Sequence, residues 1–161
     1  MTILVQDEGV QRHFVIPHSL ACGSSDLLRH NFNVPGTVAQ YLLPFSKPKD
    51  FNVYVHWLRS ATVMTKKHSS GSMKANGRRS AAIRYNNEYT QLGRLYGLGE
   101  RLRDNSFCNA IVDAFLGALR ESTDVAFDDD WEDEDVHIIL PDAKTIKSIW
   151  TDAVNHNNSL K

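Results

Sequence analysis

Three observations predict an α+β protein in which a small N-terminal β-sheet packs on a mainly α-helical body. Short β-type runs bounded by turn residues come first, apolar residues at three- and four-residue spacing take over later, and 42% of the chain is hydrophobic against 23% charged. The order of strands before helices sets the class, and the composition places the chain among globular rather than disordered proteins. At 161 residues the length suits one domain around one core.

The elements follow in order. Ile3-Leu4-Val5 is a β-type run, Asp7-Glu8-Gly9 reads as a turn, and His13 to Ile16 as the antiparallel partner. Pro17 is tolerated at a helix start, and Leu20, Cys22, Leu27, Leu28 and Phe32 suit two short helices joined near Gly23-Ser24-Ser25. After the break at Val34-Pro35-Gly36, Val38 to Leu43 reads as a third strand closed by Pro44. Pro48-Lys49-Asp50 opens an amphipathic helix with Phe51, Tyr54, Val55, Trp57 and Leu58 near one face. Tyr89, Leu92, Leu95, Tyr96, Leu98 and Leu102 mark a helix ending at Arg103-Asp104-Asn105, and Phe107, Ile111, Val112, Phe115, Leu116 and Leu119 form the apolar face of the next. Ala110, Ala114 and Gly117 allow the two helices to approach closely, which predicts a helical hairpin. A last amphipathic helix holds Ile146, Ile149 and Trp150.

Net charge is −1, but its distribution is uneven. Residues 1–60 carry five Lys/Arg and four Asp/Glu, residues 61–103 nine and two, and residues 104–161 four and thirteen, giving +1, +7 and −9. The contrast is concentrated in a basic segment with Lys66, Lys67, Lys74, Arg78 and Arg79, and an acidic one with Asp128, Asp129, Asp130, Glu132, Asp133, Glu134 and Asp135. Neither offers much apolar surface to bury, so both are expected as exposed electrostatic loops. Two cysteines, Cys22 and Cys108, are too few for a disulfide framework and fit a reducing intracellular compartment, cytoplasmic or nuclear. No stretch approaches the roughly 20 apolar residues of a membrane helix, and Met1 to Glu8 shows no basic region followed by a long apolar run, so neither membrane spanning nor secretion is expected.

Two longer phrases carry a resemblance. One is Leu43-Pro44-Phe-Ser-Lys-Pro48-Lys-Asp-Phe51-Asn-Val-Tyr54-Val55-His-Trp57-Leu58; the other is Leu95-Tyr96-Gly-Leu98-Gly99-Glu100-Arg-Leu102-Arg-Asp104-Asn-Ser-Phe107-Cys-Asn109-Ala110-Ile-Val-Asp113-Ala114. They resemble, without gaps, the phrases L-P-x-x-x-P-x-x-F-x-x-Y-V-x-W-L-Y and L-Y-x-L-G/A-E-K-L-x-D-x-x-F-x-N-A-x-x-D-A of the fungal branch of the BTB/POZ domain family. Pro141 to Trp150 is similar to the extra C-terminal helix of that branch. The resemblance covers nearly the whole chain and implies a BTB/POZ-like domain over residues 1–122 with a basic loop insertion at 64–86, an acidic loop at 123–137 and a helical extension at 138–161. It implies a non-catalytic protein–protein interaction module, a scaffold or a homo- or hetero-association domain, whose partner is a protein, a second copy of the chain included.

The departures from the family pattern refine that expectation. Pro17 and His18 stand where the family has His and Lys, which alters a polar cluster seen in many members. The chain begins at the first strand, so the amino-terminal helix exchanged in many animal dimers is not expected. Asn158-Ser159-Leu160-Lys161 is similar to the start of the family's next segment, as in a short or truncated member. Cullin-recruiting members often carry an acid two positions after an apolar residue early in the helix matching Pro48 to Arg59; here Phe51-Asn52-Val53 has none. A cullin-RING ubiquitin ligase adaptor is therefore the second reading, and a nuclear transcription- or chromatin-associated factor using the basic segment the third.

Counted from Asp128 as an EF-hand loop, the sixth and twelfth positions hold Asp133 and Ile139 instead of Gly and Glu. No metal and no cofactor is therefore expected. Lys66-Lys67 and Arg78-Arg79 faintly resemble a bipartite import signal, but no zinc-finger or RRM signature accompanies them, so nucleic acid is not the expected partner. Docking of the basic loop on the acidic one is a further reading. His18 and Cys22, four apart, are the one candidate nucleophile–base pair, and Gly97-Leu98-Gly99 lacks the third glycine and the preceding strand of a dinucleotide fingerprint. No enzymatic activity is expected. Helical spacing makes Phe51, Tyr54, Trp57, Leu95, Tyr96 and Phe107 core candidates. A partner interface is expected around Phe51, Tyr54 and Val55, at Trp131, whose residue type commonly anchors interfaces, or near Trp150.

Overall fold

The computed structural model describes residues 1–7, 9–32, 40–44, 46–65, 78–126, 141, 146 and 147, and for 78–83 and 122–126 the backbone. Strand β1 (Thr2–Asp7) pairs antiparallel with β2 (Val10–Val15), and Gly9, at φ +82°, turns the chain between them. Two short helices follow, α1 (His18–Ser24) and α2 (Asp26–Phe32), before β3 (Gln40–Pro44) returns parallel to β1. The sheet order is β2-β1-β3. Three helices complete the described fold: α3 (Pro48–Ser60), α4 (Arg78–Leu102) and α5 (Asn105–Ala126). This is the α+β arrangement expected, a three-strand mixed sheet followed by a mainly helical body.

Register gives the sheet two faces. Ile3 lies between Phe14 and Tyr41, and Val5 between Arg12 and Leu43. Ile3, Val5 and Leu43 are buried, and the Phe14 ring meets Phe51 of α3 edge-on at 4.9 Å. Because strand side chains alternate, Leu4 with its neighbours His13 and Leu42, and Thr2 with Val15 and Gln40, occupy the opposite face. Phe51, Tyr54, Tyr89, Leu92, Leu95, Leu98, Leu102, Phe107 and Ile111 extend the core through the helices. Each such full burial contributes about 1.5–3 kcal/mol.

Helix boundaries differ from expectation at the charged segments. Helix α4 begins at Arg78, inside the stretch read as the basic insertion 64–86. Residues 78–88 show no apolar period, yet they contain two alanines and no Gly or Pro. Buried Tyr85, stacked one turn from Tyr89 with ring centroids 6.3 Å apart, anchors that extension. Helix α5 likewise runs to Ala126, into the stretch read as the acidic loop 123–137, because no Gly or Pro interrupts propagation after Gly117. Most of the segment assigned to a C-terminal helix, 138–161, lies outside the described residues; Ile146 and Lys147 within it are helical and exposed.

Candidate interaction surface

The polar groups inside the fold serve its corners. Helix α4 ends with Arg103 in the left-handed region (φ 51°), its N–H donating to Glu100 O and that of Asp104 to Gly99 O, the paired bonds of a Schellman stop. Asp104 then caps α5, its Oδ1 accepting from the Phe107 N–H at 2.9 Å. Its Oδ2 accepts from the hydroxyls of Tyr54 (2.9 Å) and Ser24. Ser25 donates to Leu102 O, and its hydroxyl oxygen caps α2 by accepting from the Leu28 N–H at 3.1 Å. One buried carboxylate thus ties the α1–α2 junction, α3 and the α4–α5 corner together. Burial, reinforced by the Asp104 charge, pushes the Tyr54 phenol well above its ordinary value and keeps it a proton donor. A second tie joins Asp50 in the first turn of α3 to Arg94 of α4, Nε to Oδ2, at 2.9 Å.

The nucleophile–base pair raised by the sequence does form a contact: Cys22 Sγ lies 3.5 Å from His18 Nε2. The thiol is buried, and that burial raises its pKa, outweighing the nearby Arg29 charge. An activated thiolate needs the reverse. Cys108 is also buried, its thiol pushed up to about 12 by burial and then by Glu100. Among the described residues, no group of three or more His, Cys, Asp or Glu is placed to hold a metal ion, and no helix is long and apolar enough to cross a membrane.

The expected interface residues fall into two sets. Phe51 and Tyr54 are fully buried and Val55 is 8% exposed, so this part of the expected interface is corrected. Their spacing marks the face of α3 that packs inward, where Tyr54 meets Phe107 edge-on at 4.9 Å and Trp57 packs on both rings. Trp131, Trp150, Lys66, Lys67, Lys74, Asp128, Asp129, Asp130, Glu132, Asp133, Glu134 and Asp135 lie outside the described residues. Arg78 and Arg79 open α4.

Apolar surface is exposed elsewhere. A groove of about 180 Å³ runs between α4 and α5, with Leu92, Tyr96 and Ile111 in its walls and Val112, Phe115 and Leu116 beside them. Val112 and Leu116, one turn apart on α5, are 45% and 46% exposed. On the outer face of the sheet Val15 and Leu42 are 73% and 49% exposed. The groove was legible in the sequence by angle. At about 100° per residue, Ile111 and Ala118 fall within about 40° of Phe107 around α5, whereas Val112 and Leu116 fall about 140° and 180° away. One helix face cannot bury all of them, and Val112 and Leu116, expected on the apolar face of this helix, are instead left half-exposed. Comparison with protein-family models gives no match for this chain, and comparison with curated proteins gives none either.

Proposed function

We propose that this chain is a BTB/POZ-like, non-catalytic protein-interaction module acting as a scaffold or association domain. The resemblance supports this reading through the positions its two phrases occupy. Phe51 and Tyr54 of the first phrase, and Leu95, Leu98, Leu102, Asp104 and Phe107 of the second, are the buried residues that build α3 and the α4–α5 corner. The phrases therefore describe a scaffold, and association falls to the surface around them. The observation that carries the reading is the half-exposed pair Val112 and Leu116 beside an apolar groove, since burial of such surface against a partner drives association.

The partner is a protein, with a second copy of the chain the first to be tested. Light scattering of the purified chain across a hundredfold concentration range should give a mass rising above 18.2 kDa. The double variant Val112→Glu, Leu116→Glu, with unchanged circular dichroism, should stay at the monomer mass. A wild-type mass that never rises removes self-association, and a variant that associates like wild type removes this surface.

A further inference from the structure

Val112 and Leu116 belong to a wider exposed band on α5. Counted around the helix from Phe107 at about 100° per residue, Val112, Leu116, Asn109, Arg120 and Asp113 fall at about 140°, 180°, 200°, 220° and 240°. All five are exposed, and their band lies opposite the face on which Phe107, Ile111 and Ala118 are buried. One edge of the band is apolar, with Val112 and Leu116 beside the α4–α5 groove. The other edge is charged, with Asp113 and Arg120 two turns apart. Among the described residues neither is in an ion pair, and about 10 Å of helix rise keeps them from pairing with each other.

This pattern is self-complementary. A two-fold axis perpendicular to α5 sets a second α5 antiparallel to the first and brings like edges of the two bands together. With the axis level between Leu116 and Gly117, midway between Asp113 and Arg120, each copy's Asp113 stands opposite the other's Arg120. Two reciprocal ion pairs then flank the contact of Leu116 with its own copy. Gly117 has no side chain to hold the helices apart there, and a Cβ built on it would meet nothing within 4 Å, so the packing of its own chain does not call for glycine. Other alignments lose the match. An axis level with Asp113 sets that carboxylate against itself, and a parallel pair turns the charged edge toward the edge of Phe115, which carries no charge.

We infer that the chain forms a two-fold dimer through antiparallel α5 helices, with Asp113 of each copy paired to Arg120 of the other on either side of Leu116. The pairing rests on the reading of Val112 and Leu116 as an association surface, and supplies its partner, direction and register. Sedimentation equilibrium of the full chain at about 100 mM salt tests it with charge exchanges whose circular dichroism matches wild type. Asp113→Arg and Arg120→Asp should each weaken dimerisation at least about tenfold, because symmetry turns two attractive contacts into two repulsive ones. The double variant Asp113→Arg, Arg120→Asp restores opposite charges and should return to within about threefold of wild type. A wild-type chain that stays monomeric at every concentration overturns this dimer together with self-association. A wild type that associates, with single variants that match it or a double variant as weak as the singles, overturns the antiparallel pairing alone and leaves the Val112 and Leu116 surface standing.

Discussion

Tyr54 donates its hydroxyl proton to Asp104 Oδ2 across 2.9 Å, joining α3 to the cap of α5 fifty residues later in the sequence. Asp104 is fully buried, so its oxygens depend on the protein for donors, and a buried polar group that loses one is destabilised by its desolvation.

Tyr54→Phe keeps the ring packed among Phe51, Trp57 and Phe107 and deletes only the donor. It should lower stability by about 1.5–3 kcal/mol, the range for a hydrogen bond to a charged group. Asp104→Ala should be worse, by about 3 kcal/mol or more, because it removes the α5 cap and strands two hydroxyls. Urea denaturation midpoints decide this. A Tyr54→Phe protein within about 0.5 kcal/mol of wild type would mean that the bond carries nothing.

Alkali should weaken the fold. Burial, then Glu100, pushes the Cys108 thiol up to about 12 from 9.0, and burial with the Asp104 charge raises Tyr54 from 10.0. Above about pH 9 the unfolded chain releases protons that the folded chain keeps, so unfolding becomes easier as pH rises. This stability is complete below about pH 9 and is lost toward about 12. The urea midpoint should drop between pH 8 and pH 10.5, and drop less in Cys108→Ala. Equal drops in the two proteins would remove the thiol from the account.

The sequence made the skeleton readable because its punctuation is local. Pro17, Ser25, Pro48 and the Arg103-Asp104-Asn105 corner fall at element boundaries in the structure, each for a reason confined to a few residues. Three things were not local. Residues 78–88 lack an apolar period, so their helix rests on propensity and on Tyr85 packing, which periodicity does not register. Spacing puts Phe51, Tyr54 and Val55 on one face, but it does not say whether a partner or the rest of the chain covers that face. The Asp104 tie draws on Ser24, Tyr54 and Phe107, and only folding brings the first two to it. The groove, by contrast, was available: the angle of Val112 and Leu116 around α5 already set them apart from Phe107 and Ile111.

Ala61 ends α3 in the left-handed region at φ 53°, its N–H donating to Trp57 O at 2.7 Å. A Cβ disfavours this conformation, which glycine adopts freely. Ala61→Gly should therefore stabilise the protein by about 0.5–1 kcal/mol, the gain at the helix stop outweighing the freedom glycine adds to the unfolded chain. Thermal unfolding checks it, and a lower melting temperature in the variant would contradict this reading of the α3 stop.

Two glycines two residues apart near the end of α4 should respond to alanine in opposite ways. Gly97 has nothing within 4 Å of where a Cβ would sit, so Gly97→Ala should gain the helix-propensity difference, about 0.5–1 kcal/mol. At Gly99 a Cβ would lie 2.6 Å from Cys108 Sγ and 3.1 Å from the Phe107 ring. Overpacking typically costs about 1–3 kcal/mol, more than propensity returns, so Gly99→Ala should destabilise. The clash is mainly with one sulfur atom, which makes the explanation testable by a double-mutant cycle. Against a Cys108→Ala background, Gly99→Ala should lose most of its cost, leaving only the tighter approach to Phe107. A penalty of the same size in both backgrounds would place the strain on Phe107 or the backbone and show that the thiol does not set the distance between α4 and α5.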